Sequence, residues 1–246
     1  MLIDLVLGIL PPLQDFLAHP EVYNYKINWQ MFYHPAFSSF LSGASIGHMP
    51  QILYIWMLPI ILLLLYAGFP VLEKKCGISN IYISKIGKKQ YIRKKLICSF
   101  VFSFGIVFIT LLLNFILASL ILHKATDMTG MDQYTREELG NFIYWQVQHP
   151  YFAYMIYLLS FSCSAGMCGL ICQSSAFIFR NNITIYLVSF IAWILQFTTK
   201  ISISTLGQPF TEYGLSDFCY SWIQLIIITF IFIIVAILKR SKQDEV

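Results

Sequence analysis

Five blocks of almost uninterrupted apolar residues set the terms on which this chain can fold: 51–71 (QILYIWMLPIILLLLYAGFPV), 97–122, 150–179, 183–199 and 221–238. Each is near or above the roughly 20 residues that cross a bilayer as a helix. They lack the alternation and the ~10-residue spacing of an outer-membrane barrel. Only 11% of the residues are charged, against about 25% in a soluble domain. The expected class is an all-α integral membrane protein.

A further apolar stretch, MLIDLVLGILPPLQDFL at 1–17, is shorter, carries Asp4 and is interrupted by Pro11-Pro12. It has neither the basic start nor the small-residue cleavage site of a signal peptide. It reads as a short first span, giving six transmembrane helices in a single domain over 1–246. Lys and Arg set the orientation. Residues 72–96 hold eight, followed by Arg180, Lys239, Arg240 and Lys242; the opposite segments hold only Lys26, Lys124, Arg136 and Lys200. The twelve-to-four split places the basic loop and the C-terminus in the cytoplasm, and six spans place the N-terminus there too. A composition rich in Ile, Phe, Tyr and Lys suggests an AT-rich bacterial genome, hence the bacterial plasma membrane.

The opposite segments differ in character. Residues 18–50 include Trp29, Phe32, Phe37 and Phe40, an aromatic load suited to the headgroup level. Residues 124–149 are acidic, and 200–220 mix Gly, Pro and apolar residues as re-entrant or interfacial helices do. His19, His34 and His149 each precede a proline and read as turn residues, and no spacing places two histidines on one helix face for a metal.

The stretch EKKCGISNIYISKIGKKQYIRKKL, residues 73–96, holds eight of the sixteen Lys and Arg residues and one acid, Glu73. Gly77 can break the preceding helix, and Ser79-Asn80 offer caps for a new one. Ile78, Ile81, Tyr82 and Ile86 fall at helical spacing and so are expected to share one apolar face. Gly87 ends the helix. A loop that only keeps positive charge in the cytoplasm needs the lysines, but not a bounded amphipathic helix.

This stretch resembles the first cytoplasmic loop of the membrane subunits of ABC-2-type exporters. There Glu, basic residues and Gly precede a short coupling helix, and basic residues open the third span. The counterparts are Glu73 to Gly77, Ile78 to Ile86, and Lys88 to Lys95. The six-span layout, the internal termini and the structured segment before the last span are also similar to that family. The family usually opens with a cytoplasmic amphipathic helix, and no such helix is read before the first span here. The resemblance implies a cytoplasmic ABC ATPase as partner, contacted by Glu73, Gly77, Ile78, Ile81, Tyr82, Ile86 and Gly87. It also implies a second membrane subunit, identical or not.

Several absences narrow the function. No G-x-x-x-x-G-K-[ST] occurs, so ATP hydrolysis is expected in a separate subunit, and the chain is not expected to be an enzyme or to carry a cofactor. The five clear spans contain no Asp, Glu, Lys or Arg between their ends. Ion-coupled secondary transporters generally need such groups. No basic soluble face exists for nucleic acid. The six cysteines show no metal spacing and read as small buried residues. Within 150–179, Ser160, Ser162, Ser164, Ala165, Gly166 and Gly169 suit close helix packing. A second reading makes Ser164 and Gln173, with Asn114 and Gln196 from neighbouring spans, a polar wall along a substrate path. Uncharged spans and aromatic outer segments suggest export of a hydrophobic or amphipathic compound such as an antimicrobial peptide. A non-transporting immunity or sensor protein beside a peptide exporter is the alternative.

Overall fold

The computed structural model describes residues 32–41, 48–67, 73, 76–128, 130–179, 181–199, 202–211 and 213–242. The expected span at 1–17, like Trp29, lies outside them. Among the described residues the fold is helical, with no strand beyond one isolated bridge between Tyr33 and Asp127. The helices are α1 (Pro35–Ser38), α2 (His48–Leu62), α3 (Ile78–Ile86), α4 (Lys88–Ile121), α5 (Arg136–Leu139), α6 (Asn141–Gln148), α7 (Pro150–Ile178), α8 (Asn182–Ile194) and α9 (Leu215–Lys242). Three of them, Lys88–Ile121, Pro150–Ile178 and Leu215–Lys239, are long and apolar enough to cross a membrane. The protein is a helical membrane protein. Leu53–Leu65 and Asn182–Ile194 are shorter apolar helices.

The 34 residues of α4 measure about 51 Å at ~1.5 Å per residue. A hydrocarbon core is only about 30 Å thick. About 12 Å of the excess is the run Lys88–Lys95, which is helical rather than a loop. Apolarity located the spans but not their ends: α9 begins at Leu215 rather than 221, capped by the Asp217 carboxylate accepting from Gly214 N–H (3.0 Å). α8 stops at Ile194, where Gln196, Thr198 and Thr199 bond backbone carbonyls and compete with the helical ladder.

The chain divides into two compact units, one from residues 1–54, 108–160 and 205–218, the other from 55–107, 161–204 and 219–246. In the first, aromatic rings and buried amides hold irregular backbone. Phe37 stacks on Phe210 (centroids 4.1 Å apart) and Phe115 on Tyr154 (4.3 Å). Asn114 Oδ1 accepts from Phe40 N–H (3.0 Å), and buried Gln146 Oε1 accepts from Phe210 N–H (2.9 Å). Phe210 sits at φ 58°, a conformation costing a non-glycine residue roughly 1–2 kcal/mol, and the Gln146 bond and the Phe37 stack offset that cost. Phe32, Phe37, Phe40 and Phe210 are 5%, 1%, 2% and 1% exposed. The expectation that these four rings belong to an outer aromatic rim is therefore corrected. These rings form core, because each has a partner ring or a tightly bonded backbone to bury it.

His34 is the turn residue its Pro35 neighbour suggests. Its Nδ1 accepts from Ala36 N–H (3.2 Å) and caps α1, and its ring lies edge-on to Tyr151 (4.6 Å). Burial lowers its pKa from 6.5 to about 4. The unfolded chain then binds a proton that the folded chain resists. The stability contributed by neutral His34 is complete above pH 6.5 and is lost as pH falls towards about 4. His34→Asn keeps a capping oxygen, so it should flatten the pH dependence of the melting temperature in that window. An unchanged slope would count against it.

In the second unit, Pro59 lies inside α2 and has no N–H to offer the carbonyl four residues back, that of Ile55. The buried Trp193 of α8 donates its indole N–H to that same carbonyl at 2.8 Å. A proline that would leave an orphan acceptor in an apolar interior is thus tied to a neighbouring helix. α4 and α7 pack antiparallel along small residues: Ser99 Oγ donates to Gly169 O (2.9 Å), and a Cβ on Gly166 would lie 2.7 Å from the Phe100 ring.

Candidate functional site

The end of the second unit that carries the basic residues is organised around α3. Gly77 precedes it at φ 73°, ψ −4°, and Gly87 follows it at φ 76°, ψ 152°. Among the described residues nothing lies within 4 Å of a Cβ at either position, so the need for glycine is conformational. The first is left-handed, and the second falls in a region essentially reserved for glycine. The Ser79-Asn80 cap expectation is corrected: Gly77 is the N-cap, without a side-chain bond, and Ser79 is buried. The two glycines let the chain reverse sharply on either side of nine helical residues.

The helix has two apolar sides. Ile83 and Ile86 pack against a cluster of Tyr91, Ile92 and Leu96 from α4, Phe177 and Ile178 from α7, and Ala236 from α9. Ile78, Ile81 and Tyr82 point away and are 42%, 58% and 50% exposed. The expectation of one shared face is therefore corrected for Ile86. It lies further round the helix, where the three long helices offer it a hydrophobic seat. Lys85 is exposed on the outward side.

Glu73 holds the base of this arrangement. Its carboxylate accepts from Tyr91 Oη at 2.9 Å and pairs with Lys95 Nζ at 2.5 Å. Both charged side chains are 19% exposed. Two charge-assisted bonds onto α4 fix the chain just before the elbow. The carboxylate expected to face a partner is turned inward. Nearby, Lys239 Nζ lies 5.5 Å from the centroid of the Phe179 ring.

The polar residues expected to line a path are all buried, but they are engaged differently. Asn114 belongs to the first unit, where it fixes Phe40. Ser164, Gln173 and Gln196 belong to the second. Ser164 Oγ donates back to Phe161 O (2.8 Å), and Gln196 Nε2 donates to Ala192 O (2.9 Å), each within its own turn of chain. Gln173 is wholly buried, and neither its Nε2 nor its Oε1 has a partner among the described residues. Sequence reasoning missed the Trp193–Pro59 device, whose signal was a proline in mid-block. It also missed the Glu73–Tyr91–Lys95 bracket, whose spacing follows no helical period because the elbow intervenes. Among the described residues no group of His, Cys, Asp and Glu could hold a metal ion.

No family model matches the chain, and no solved structure matches it. A bacterial relative, the uncharacterized protein YybM of Bacillus subtilis (strain 168), is 35% identical over 218 residues, covering 87% of this chain and 84% of the relative. With identity at that level along most of both chains, the chain belongs to the family of YybM.

Proposed function

We propose that this chain is the membrane-spanning subunit of an ATP-driven exporter of the ABC-2 type. In this reading it has six spans, the first at 1–17, and both termini in the cytoplasm. It works in the bacterial plasma membrane as a dimer of membrane subunits, and a separate ATPase docks on α3. The carrying observation is the outward apolar face of Ile78, Ile81 and Tyr82, set on a helix that already satisfies its inward side with Ile83 and Ile86. A loop serving only as a charge anchor has no need of the second face. The Glu73 bracket supports the same reading, since a helix that transmits motion must be tied to the spans it moves. A bacterial relative accords with the membrane assigned.

The test is copurification from membranes. The full chain should bring down an ATPase carrying a Walker motif, with two membrane chains in each particle. Recovery of a lone chain, with no ATPase at any detergent condition that preserves its melting transition, would return the protein to the immunity or sensor class.

The cargo in this reading is hydrophobic or amphipathic, with a peptide antibiotic as the model case. The five clear spans carry no charge between their ends. A small ion or sugar would leave its polar groups unpaired there, at several kcal/mol. Aromatic rims no longer support the idea, since Phe32 and Phe210 are core. Deleting the gene should sensitise cells to peptide antibiotics. Normal tolerance together with a defect in uptake of a polar nutrient would overturn this assignment.

A further inference from the structure

A second surface at the basic end is independent of that reading. Beyond the α3–α4 corner a cavity of about 470 Å³ is lined by Ile86, Gly87, Lys88, Lys89, Gln90, Ile92 and Ile237. Its lining separates by chemistry. Lys88, Lys89 and Gln90 bring two cations and an amide; Ile86, Ile92 and Ile237 bring hydrocarbon. Ile237 stands in the last apolar turn of α9, immediately before Leu238 and Lys239. The lining therefore joins the basic start of α4 to the last apolar turn of α9.

The stretch that supplies most of its lining is strongly cationic. Residues 73–96 hold eight cations and one acid, and that acid, Glu73, is engaged by Lys95 and Tyr91. Lys89 and Arg93 stand four residues apart on α4 and are both exposed, a like-charge spacing that weakens a helix unless an anion lies near. A soluble anion would use the lysines but not the isoleucine walls. A neutral lipid would use the walls but not the lysines. We infer that this cavity binds an anionic phospholipid, its phosphate-bearing headgroup at Lys88 and Lys89 and the start of its acyl chains against Ile92 and Ile237. Basic recesses at the ends of membrane helices hold such headgroups, and each lysine near an anionic leaflet favours them about fivefold.

The experiment is lipid retention by the purified full-length chain in neutral detergent, read by native mass spectrometry after addition of phosphatidylglycerol or phosphatidylcholine with matched chains. The expected result is preferential retention of phosphatidylglycerol, reduced at least about tenfold in Lys88→Gln/Lys89→Gln and kept in Lys88→Arg/Lys89→Arg. Lys239→Gln, a described cation that is not among the lining residues, should leave it unchanged. Inorganic phosphate should compete poorly. Equal retention of the two lipids, indifference to the lysine substitutions, or full displacement by phosphate would each overturn the assignment. The readout uses no ATPase, so its failure leaves the exporter reading standing, and the reverse also holds.

Discussion

Aspartate at both Ile81 and Tyr82 should leave the chain folded in the membrane and abolish stimulation of the ATPase proposed as its partner. These side chains are 58% and 50% exposed and are not among those packed on the cluster that seats Ile83 and Ile86, so the fold loses little when they become polar. In a complex each would be buried, and burial of such a side chain is worth roughly 1.5–3 kcal/mol. Two lost together weaken docking by about 3–6 kcal/mol, some hundredfold or more. Ile86→Asp should behave differently. It would set a carboxylate against the cluster of Tyr91, Ile92, Phe177 and Ala236, so it should lower expression and melting temperature before any coupling is measured. The comparison between the two variants separates a docking face from a packing face. Equal ATPase stimulation by Ile81→Asp/Tyr82→Asp and the unaltered chain would remove α3 from the interface.

Gly169→Ala should be the most disruptive single methyl group in the second unit. A Cβ there would lie 2.2 Å from Ser103 Oγ, 2.8 Å from Ser103 Cβ and 3.1 Å from the Ser99 carbonyl oxygen. The hydroxyl can rotate away. The Ser103 Cβ and the Ser99 backbone cannot, so α4 and α7 must part, stretching the Ser99 to Gly169 bond that ties them. Overpacking of this kind costs about 1–3 kcal/mol. The reciprocal change Ser103→Gly removes two of the three close atoms. The double variant Gly169→Ala/Ser103→Gly should recover at least half of the loss in denaturation measured in detergent. A Gly169→Ala melting temperature equal to that of the unaltered chain would show that the close approach is not used.

Apolar run length made α4, α7 and α9 legible, because a membrane helix needs little else to be recognised. Gly77 and Gly87 bounded α3 correctly, since both positions have backbone angles that other residues resist. What the pattern could not reveal was direction. Helical spacing groups Ile78, Ile81, Tyr82 and Ile86, but which side faces inward depends on helices far along the chain, and they claimed Ile83 and Ile86. Glu73 was picked out as part of the site, yet its partners Tyr91 and Lys95 lie across the elbow, beyond any local rule. The aromatic residues misled for a related reason. Phe32, Phe37, Phe40 and Phe210 look like headgroup anchors by composition, and only the partner rings and buried amides such as Asn114 and Gln146 show them to be core.

The most direct measurement places a photoreactive phenylalanine analogue at position 82 of the full chain, irradiates intact cells and identifies the cross-linked protein by mass spectrometry. The account predicts a cytoplasmic ATPase with Walker motifs, captured from position 82 and from 81 but not from 83, whose side chain faces the cluster of the long helices. Cross-links from 82 that reach only lipid, or that yield no nucleotide-binding protein while the probe-bearing chain is folded and abundant, would contradict it.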